Sequence, residues 1–251
     1  MSFKIAVQLY TVRDLLDANP VKTLAAVREI GYTRVELAGL GSHSASQMKA
    51  MLDDEGLTPV AMHSPIQELE GALNRAIDAV KTLGIAHLVC PWLPDDRRPD
   101  EAGWKQCAES LNRIGEQCRA QGVRLSYHNH SFEFVRCGDR YGLDLLFDES
   151  DPANLAAELD TYWIRDGGED PAAYIRKYVK RCPLIHLKDM TAGDKPTFAE
   201  VGTGTLNFDE IFHAMAAAGC EYGIIEQDIC PGDPLVSIRK SLDFLKSKGL
   251  S

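Results

Sequence analysis

Several features that mark common protein classes are missing from this chain of 251 residues. It has no run of about 18 consecutive apolar residues, the length that a membrane span needs. Its start, MSFKIAVQLY, lacks the apolar core and cleavage site of a signal peptide. No low-complexity or Pro/Ser-rich block marks a domain boundary. We therefore expect one domain over residues 1–251, a cytoplasmic location and no membrane partner.

Excess positive charge and paired cysteines are also missing. The net charge is −10, and basic runs such as RKYVKR are short, which argues against a nucleic-acid partner because phosphate binding needs a basic surface. The seven cysteines form no C-x-x-C pair, and an odd count fits reduced thiols. A nucleophilic role for Cys90 is less favoured than burial as a small apolar side chain.

A nucleotide-binding motif is missing at the place where an open, doubly wound sheet would normally carry it. Such a sheet places G-x-G-x-x-G after the first strand, whereas this chain continues with TVRDLLDANP. The nearest equivalent, VGTGTLNF at 201–208, follows the seventh strand-like segment. We interpret it as a turn before a helix over 207–219. Phosphate binding stays open, because loops after strands seven and eight of barrels often bind phosphate.

What is present is a regular alternation of short apolar segments and longer amphipathic ones. Most of the amphipathic segments end in the glycine expected just past a helix C-terminus, and the last one, over 233–249, begins with Asp-Pro. Eight strand–helix units without a break predict a closed (β/α)₈ barrel, the TIM barrel fold. The predicted strands are 4–10, 34–39, 59–64, 87–92, 123–130, 155–163, 184–190 and 222–228.

Polar residues occur late in nearly every predicted strand, at the end where barrels carry their active sites. A single polar residue at such a position is more often a core or rim residue than part of a site. Several unpaired ionisable groups buried in one place are different, because each would cost roughly several kcal/mol unless a metal or substrate compensates. Alternation places His186 and Lys188 on one face, and likewise His128 and His130. Imidazoles and carboxylates without thiolates suit a divalent ion, Mn²⁺ or Co²⁺ before Zn²⁺. The strand-end residues are Gln8, Glu36, His63, His128, His130, Asp160, His186, Lys188 and Glu226.

The segments GYTRVELAG, MHSP, YHNHSFEF, ELDTYW, HLKDM, VGTGTLNF and IIEQD resemble the sugar phosphate isomerase/epimerase group with the xylose-isomerase-like barrel. This group includes inosose dehydratases, hydroxypyruvate isomerases and ketose 3-epimerases. The resemblance covers essentially the whole chain and implies one divalent ion, with Mg²⁺ also allowed, on four ligands from strands five to eight. Carried over to this sequence, the ligands are His128, Asp160, His186 and Glu226, with histidine where the epimerases have glutamate.

The resemblance implies a metal-dependent sugar isomerase or epimerase that removes a proton next to the carbonyl of a keto-sugar or polyol. Because His128 replaces one of two glutamates, a symmetric two-glutamate epimerisation is in doubt, and an inosose-type dehydratase is the alternative. Glu226 is the expected base, with His130 or Lys188 returning the proton. The residues expected at the substrate are Glu36, His63, Trp163 and Glu133, and either His130 or Glu133 is an alternative fifth-strand metal ligand.

Two other functions fit the sequence less well. A sugar-binding protein without activity is disfavoured, because inward-facing ionisable clusters are more typical of catalysis. DNA-repair endonucleases share this barrel, but they need more metal ligands and a basic groove. The expected partner is a small sugar or polyol, and the sequence leaves a homo-oligomer open.

Overall fold

The computed structural model describes residues 3–250 and contains a closed barrel of eight parallel strands. Each strand pairs with the next in the chain, and β8 pairs with β1 to close the barrel. This confirms the predicted (β/α)₈ fold. The predicted single domain over 1–251 includes Met1, Ser2 and Ser251, which lie outside the described residues. The strands are β1 Lys4–Gln8, β2 Arg34–Leu37, β3 Thr58–His63, β4 His87–Cys90, β5 Arg124–His128, β6 Leu155–Asp160, β7 Leu184–Leu187 and β8 Tyr222–Ile225.

Helices connect the strands on the outside of the barrel. Within residues 3–250, no helix combines the length and the apolar character that crossing a membrane requires. The helices are α1 Arg13–Ala18, α2 Pro20–Ile30, α3 Ala45–Asp54, α4 Ile66–Gly71, α5 Leu73–Leu83, α6 Glu101–Ala120, α7 Gly142–Asp148, α8 Thr161–Asp166, α9 Pro171–Lys177, α10 Phe208–Ala218 and α11 Pro234–Ser247.

Local sequence explains where these helices begin and end. Helix α2 starts with Pro20 after Asn19, whose Oδ1 accepts a hydrogen bond from the Lys22 amide at 3.0 Å. It stops at Gly31, which has a φ of 117° that residues with a Cβ rarely adopt. Helix α11 begins in the same way, with Asp233 as its cap and proline in its first turn. The predicted helix signals are therefore confirmed at both positions.

The predicted strands extended too far at their carboxyl ends. Strand β5 ends at His128, two residues early, and β6 ends at Asp160 because its Oδ1 accepts a hydrogen bond from the Trp163 amide at 3.0 Å and starts α8. Strand β7 ends at Leu187, after which Asp189–Met190 pairs with Phe198–Ala199 in a separate antiparallel ladder. His130, Lys188 and Glu226 therefore lie just past the ends of their strands, where the chain is leaving the sheet.

The barrel interior is arranged in layers. A floor of small and aliphatic side chains, including Ala6, Val89 and Ile224, fills its lower part. Because side chains alternate along a strand, the residues two positions further on also point inward. In this structure those residues are mostly polar; Gln8, Glu158, His186 and Glu226 are buried, and His63 is partly exposed. The apolar floor therefore supports a polar layer at the carboxyl ends of the strands.

Candidate metal centre and active site

Four side chains meet at the carboxyl ends of β5 to β8, and we call them the mouth group: His128, Asp160, His186 and Glu226. One ligand atom from each lies within 4.8 Å of the others, and all four residues are buried. His186 Nδ1 is 2.8 Å from Glu226 Oε2, and His128 Nε2 is 3.8 Å from Asp160 Oδ2. An ion with bonds of about 2.0–2.2 Å keeps its ligand atoms within about 4.4 Å of one another. The structure therefore brings the predicted ligands together at close to the spacing that a bound ion requires.

Asp160 shows that the mouth group fits an ion chemically as well. Its Oδ1 caps α8, while its buried Oδ2 accepts no well-aligned hydrogen bond from the described residues and faces the Lys188 ammonium at 3.0 Å. Burial raises the pKa of Asp160 to about 6, against the opposing charge of Lys188. Burial, together with His186, lowers the pKa of His128, so this imidazole is neutral and free to bind metal. Two nitrogens and two oxygens without sulfur fit a divalent cation.

Two carboxylates lie behind His128 and His186, the candidate ligand histidines, and we call Glu36 and Glu158 the deep pair. Glu158 Oε2 lies 2.9 Å from His63 Nε2, 3.1 Å from His128 Nδ1 and 3.3 Å from His186 Nε2. Glu36 Oε2 is 2.6 Å from His186 Nε2. Each ligand histidine therefore directs one ring nitrogen to the mouth group and the other to the deep pair. Carboxylates placed in this way fix the tautomer of metal-binding histidines.

Glu158 was not predicted as a site residue, and Glu36 was predicted at another position than the one observed. Glu158 precedes Asp160 by two residues in LAAELD, so alternation alone puts it on the inward face. Glu36 was expected at the substrate, but it is fully buried beneath His186 and does not line the cavity described below. The structure thus places Glu36 against a histidine of the mouth group instead of at the cavity.

Glu158, one member of the deep pair, is ionised. Burial alone would raise the pKa of Glu158, but the nearby His186 and His63 outweigh it and hold this pKa well below its usual range. Conversely, burial alone would lower the pKa of His63, but Glu36 and Glu158 outweigh it and raise this pKa to about 10. Negative charge behind the histidines favours a cation in front of them.

A cavity of about 290 Å³ opens above the mouth group. This volume lies at the small end of the range for ligand pockets, about 300–1,000 Å³, and suits a single sugar-sized molecule. Five of the predicted site residues line it: His63, His128, His130, Lys188 and Glu226. Six lining residues were not predicted, namely Tyr10, Ala38, Pro65, Pro91, Trp92 and Asp228. Asp228 follows Glu226 by two residues, so alternation was again a usable signal.

Lys188 is held by three carboxylates at the bottom of this cavity. Its Nζ lies 2.6 Å from Glu226 Oε2, 2.7 Å from Asp228 Oδ2 and 3.0 Å from Asp160 Oδ2. The pairing weighed from the sequence, with Glu133 or Asp189, is not the one observed. Burial would lower the pKa of Lys188, but Asp160 and Glu226 outweigh it and raise this pKa, so the ammonium form persists.

His130, Trp163 and Glu133, the predicted residues in the loops after β5 and β6, lie in three different environments. His130 lines the cavity, and burial with the nearby Lys188 lowers its pKa to about 3, so the ring is neutral. Trp163 packs against it, with ring centroids 5.3 Å apart. Glu133 is turned into the wall, where its oxygens accept hydrogen bonds from Tyr127 Oη and the His130 amide, each at 2.7 Å. The structure therefore does not bring Glu133 to the cavity.

Cys90 belongs to the apolar core. Its side chain is fully buried, and burial raises the pKa of the thiol. Because the thiolate is the nucleophilic form of cysteine, this environment supports the structural interpretation of Cys90.

Fold and site together define a (β/α)₈ barrel with a buried imidazole–carboxylate cluster at the carboxyl ends of its strands. The sequence matches the xylose isomerase-like TIM barrel family over residues 24–248, and the chain belongs to that family. The resemblance noted from the sequence is thereby confirmed, and the chain lies among barrels of the sugar isomerase, epimerase and dehydratase type.

The individual relatives share about a quarter of their residues with this chain or fewer. An inosose dehydratase of Clostridium tetani is 26% identical over 167 residues, which are 59% of this chain and 55% of that protein. The match thus spans about half the length of this relative. A sugar phosphate isomerase/epimerase from Parabacteroides distasonis superposes with a TM-score of 0.84 at 27% identity, covering 98% of this chain and 94% of that one. A 3-keto-D-glucoside 4-epimerase from E. coli superposes with a TM-score of 0.72 at 16% identity, covering 98% of this chain and 100% of that one. This likeness shows the fold alone.

Proposed function

We propose that this protein is a divalent-metal-dependent enzyme that removes a proton next to the carbonyl of a keto-sugar or polyol. The observation that carries the proposal is the position of Glu226. Its carboxylate belongs to the mouth group, lines the cavity and contacts both His186 and the Lys188 ammonium. A base, a cation and a set of metal donors thus converge on one small cavity, which is what carbon-acid chemistry needs.

In this proposal His128, Asp160, His186 and Glu226 hold the ion, with Mn²⁺ or Co²⁺ preferred for the donor set. When bound, the ion would polarise the substrate carbonyl and stabilise the negative charge that develops on its oxygen. The deep pair contributes by keeping the Nδ1 proton on His128 and the Nε2 proton on His186.

Glu226 is suited to act as the base. Burial would raise its pKa, but Lys188 and His186 outweigh this effect and hold the pKa well below its usual range. The carboxylate is therefore ionised at neutral pH and ready to accept the proton from the carbon beside the carbonyl. Neutral His130 is a poor proton donor, and we assign the role of acid to the Lys188 ammonium because it lies 2.6 Å from Glu226.

The acid and the base lie on one side of the cavity. Among residues 3–250, the carboxylates that line it are Glu226 and Asp228, which both follow β8, whereas His63, His128 and His130 come from β3 and from the end of β5. Epimerisation by two carboxylates on opposite faces of a sugar has no support in this arrangement. The arrangement does support reactions that need a single base, namely dehydration and 1,2-isomerisation.

Of these two, we favour dehydration. Glu226 takes the α-proton, the C–H electrons form the carbon–carbon double bond of an enolate, and the carbonyl re-forms as the new double bond shifts toward the β-carbon. The β C–O bond breaks with its electrons, and the departing hydroxyl takes a proton from Lys188 and leaves as water. Glu226 then passes its proton to Lys188 across 2.6 Å, which restores both groups. The inosose dehydratases among the relatives support the preference for dehydration over isomerisation.

Incubation of Mn²⁺-loaded protein in D₂O with a panel of inososes and keto-sugars tests the proposal. We expect solvent deuterium at an α-carbon by NMR and a product that has lost one water by mass spectrometry. A product that has lost no water and differs from the substrate only by incorporated deuterium would indicate isomerisation or epimerisation, and binding without exchange would indicate a sugar-binding protein.

The matched variants are Glu226→Gln and Glu221→Gln, which lie at opposite ends of β8. Glutamine at 226 should slow exchange by about 10²–10⁴-fold, the usual contribution of a general base, and glutamine at 221 should not. Wild-type exchange in Glu226→Gln would contradict the assigned role.

A further inference from the structure

The loop VGTGTLNF, residues 201–208, lies between β7 and α10. Barrels that act on phosphorylated substrates often bind the phosphate at this position, through backbone amides of a glycine-containing loop. Whether the loop can do so here depends on where its amide N–H groups point.

These N–H groups already bind an anion that belongs to the chain itself. Asp189 Oδ2 accepts hydrogen bonds from the Gly202 and Gly204 amides at 3.0 and 2.8 Å. Its Oδ1 accepts from the Met190 and Leu206 amides at 2.8 and 3.1 Å. Both oxygens are fully used, and Asp189 is almost completely buried. A carboxylate thus occupies the amide nest that a phosphate group would need.

The loop is fitted closely around this carboxylate. A Cβ at position 204 would collide with the Met190 carbonyl oxygen and with the Asp189 side chain, so only glycine fits there. The glycine therefore allows the backbone to approach Asp189. In other proteins, glycine allows backbone amides to approach a bound phosphate in the same way. This explains why the sequence alone left phosphate binding open.

The cavity above the mouth group offers no substitute for the occupied nest. Among residues 3–250, no arginine lines it, Lys188 is already paired with three carboxylates, and His63 is paired with Glu158 at 2.9 Å. Two of those carboxylates, Glu226 and Asp228, line the cavity themselves. A phosphate dianion placed there would meet like charges, which costs affinity.

We infer that the substrate is an unphosphorylated keto-sugar or polyol, because Asp189 fills the phosphate position of the barrel with an internal carboxylate. The substrate half of this inference rests on the proposed function. The occupancy of the loop can be tested separately from it.

Amide NMR of Mg²⁺-loaded protein tests the loop directly, with inorganic phosphate as the probe and chloride of equal ionic strength as the control. In the wild type, phosphate should leave the amide resonances of Gly202, Gly204 and Leu206 unchanged. In Asp189→Ala the same resonances should shift on addition of phosphate or of the smaller anion formate. Asp194→Ala, an exposed aspartate five residues further on, should behave as the wild type.

A saturable shift of the three amides by phosphate in the wild type would overturn the inference, and this result does not depend on how well Asp189→Ala folds. Deuterium exchange with paired substrates, each keto-sugar beside its phosphate ester, supplies the second readout. We expect kcat/KM at least about tenfold higher for the free sugar, and a preference for the ester would also overturn the inference. Absence of exchange with both members of every pair would contradict the proposed function, while the amide shifts still decide the state of the loop.

Discussion

Replacing Glu158 by glutamine perturbs the metal centre without removing a predicted ligand. Glu158 Oε2 lies within hydrogen-bonding distance of the rings of His63, His128 and His186, and the residue is fully buried. Glutamine has nearly the same size, but it carries no charge, and one of its terminal atoms is a donor. It therefore no longer anchors the N–H groups that face away from the mouth group.

The size of the effect follows from the contacts. Loss of a carboxylate behind a metal-binding histidine typically weakens metal binding about 10–100-fold, or about 1.4–2.8 kcal/mol. We expect the upper part of this range because one oxygen serves both ligand histidines. Removing one member of a buried charge network costs about 3–5 kcal/mol of folding stability. Glu36 remains against His186 at 2.6 Å, so the lower end, about 3 kcal/mol, is expected.

Competition with a fluorescent chelator gives the metal Kd of Glu158→Gln, and urea unfolding gives its stability. Glu221→Gln is the matched control, because Glu221 also pairs with a histidine, His87 at 3.3 Å, but lies at the other end of the barrel. The control should keep the wild-type Kd. If Glu158→Gln binds metal as tightly as the wild type, the deep pair does not orient the ligands and the reasoning is wrong.

Three further outcomes are expected. Lys188→Met should lower turnover about 100-fold or more with metal still bound, and unchanged steady-state kinetics would remove Lys188 from the mechanism. Gly115→Ala should destabilise the protein by about 1–3 kcal/mol in thermal denaturation, because its Cβ would collide with a backbone carbonyl of a neighbouring loop, whereas Gly71→Ala has open space and should be neutral or stabilising. The pKa of Glu221 is lowered, chiefly by its hydrogen bond with His87. Its stabilisation is therefore present above about pH 4.5 and is lost on acidification below it. Glu221→Gln should cost about 0.5–1 kcal/mol at pH 7 and little at pH 3, and an equal cost at both pH values would contradict this account.

The barrel was predictable because its signals are local. Strand–helix alternation and helix-ending glycines such as Gly31 and Gly84 depend on neighbouring residues alone, and both glycines adopt the positive φ that this role requires. The strand ends were not predictable to the same degree. Whether Asp160 continues a strand or caps a helix depends on where its side chain hydrogen-bonds, and the structure shows that it does both.

The candidate site was predictable as far as alternation along single strands reaches. That pattern turned polar strand-end residues toward one centre, and the family resemblance then selected the four residues of the mouth group among them. It did not reveal the role of Glu158, whose contact with His63 joins residues 95 positions apart. Nor did it distinguish a phosphate-binding loop from one filled by Asp189, because the two share the same glycines and differ only in which anion their amides contact.

The metal content of the purified protein tests the central claim most directly. Inductively coupled plasma mass spectrometry should find about one divalent ion per chain in the wild type, the number that four ligands can hold. The same content is expected in His87→Ala, which removes a buried histidine at the opposite end of the barrel. Asp160→Ala and His186→Ala should both lose the ion after dialysis. Full retention of metal in either variant, with the fold intact by circular dichroism, would show that the mouth group is not the metal centre.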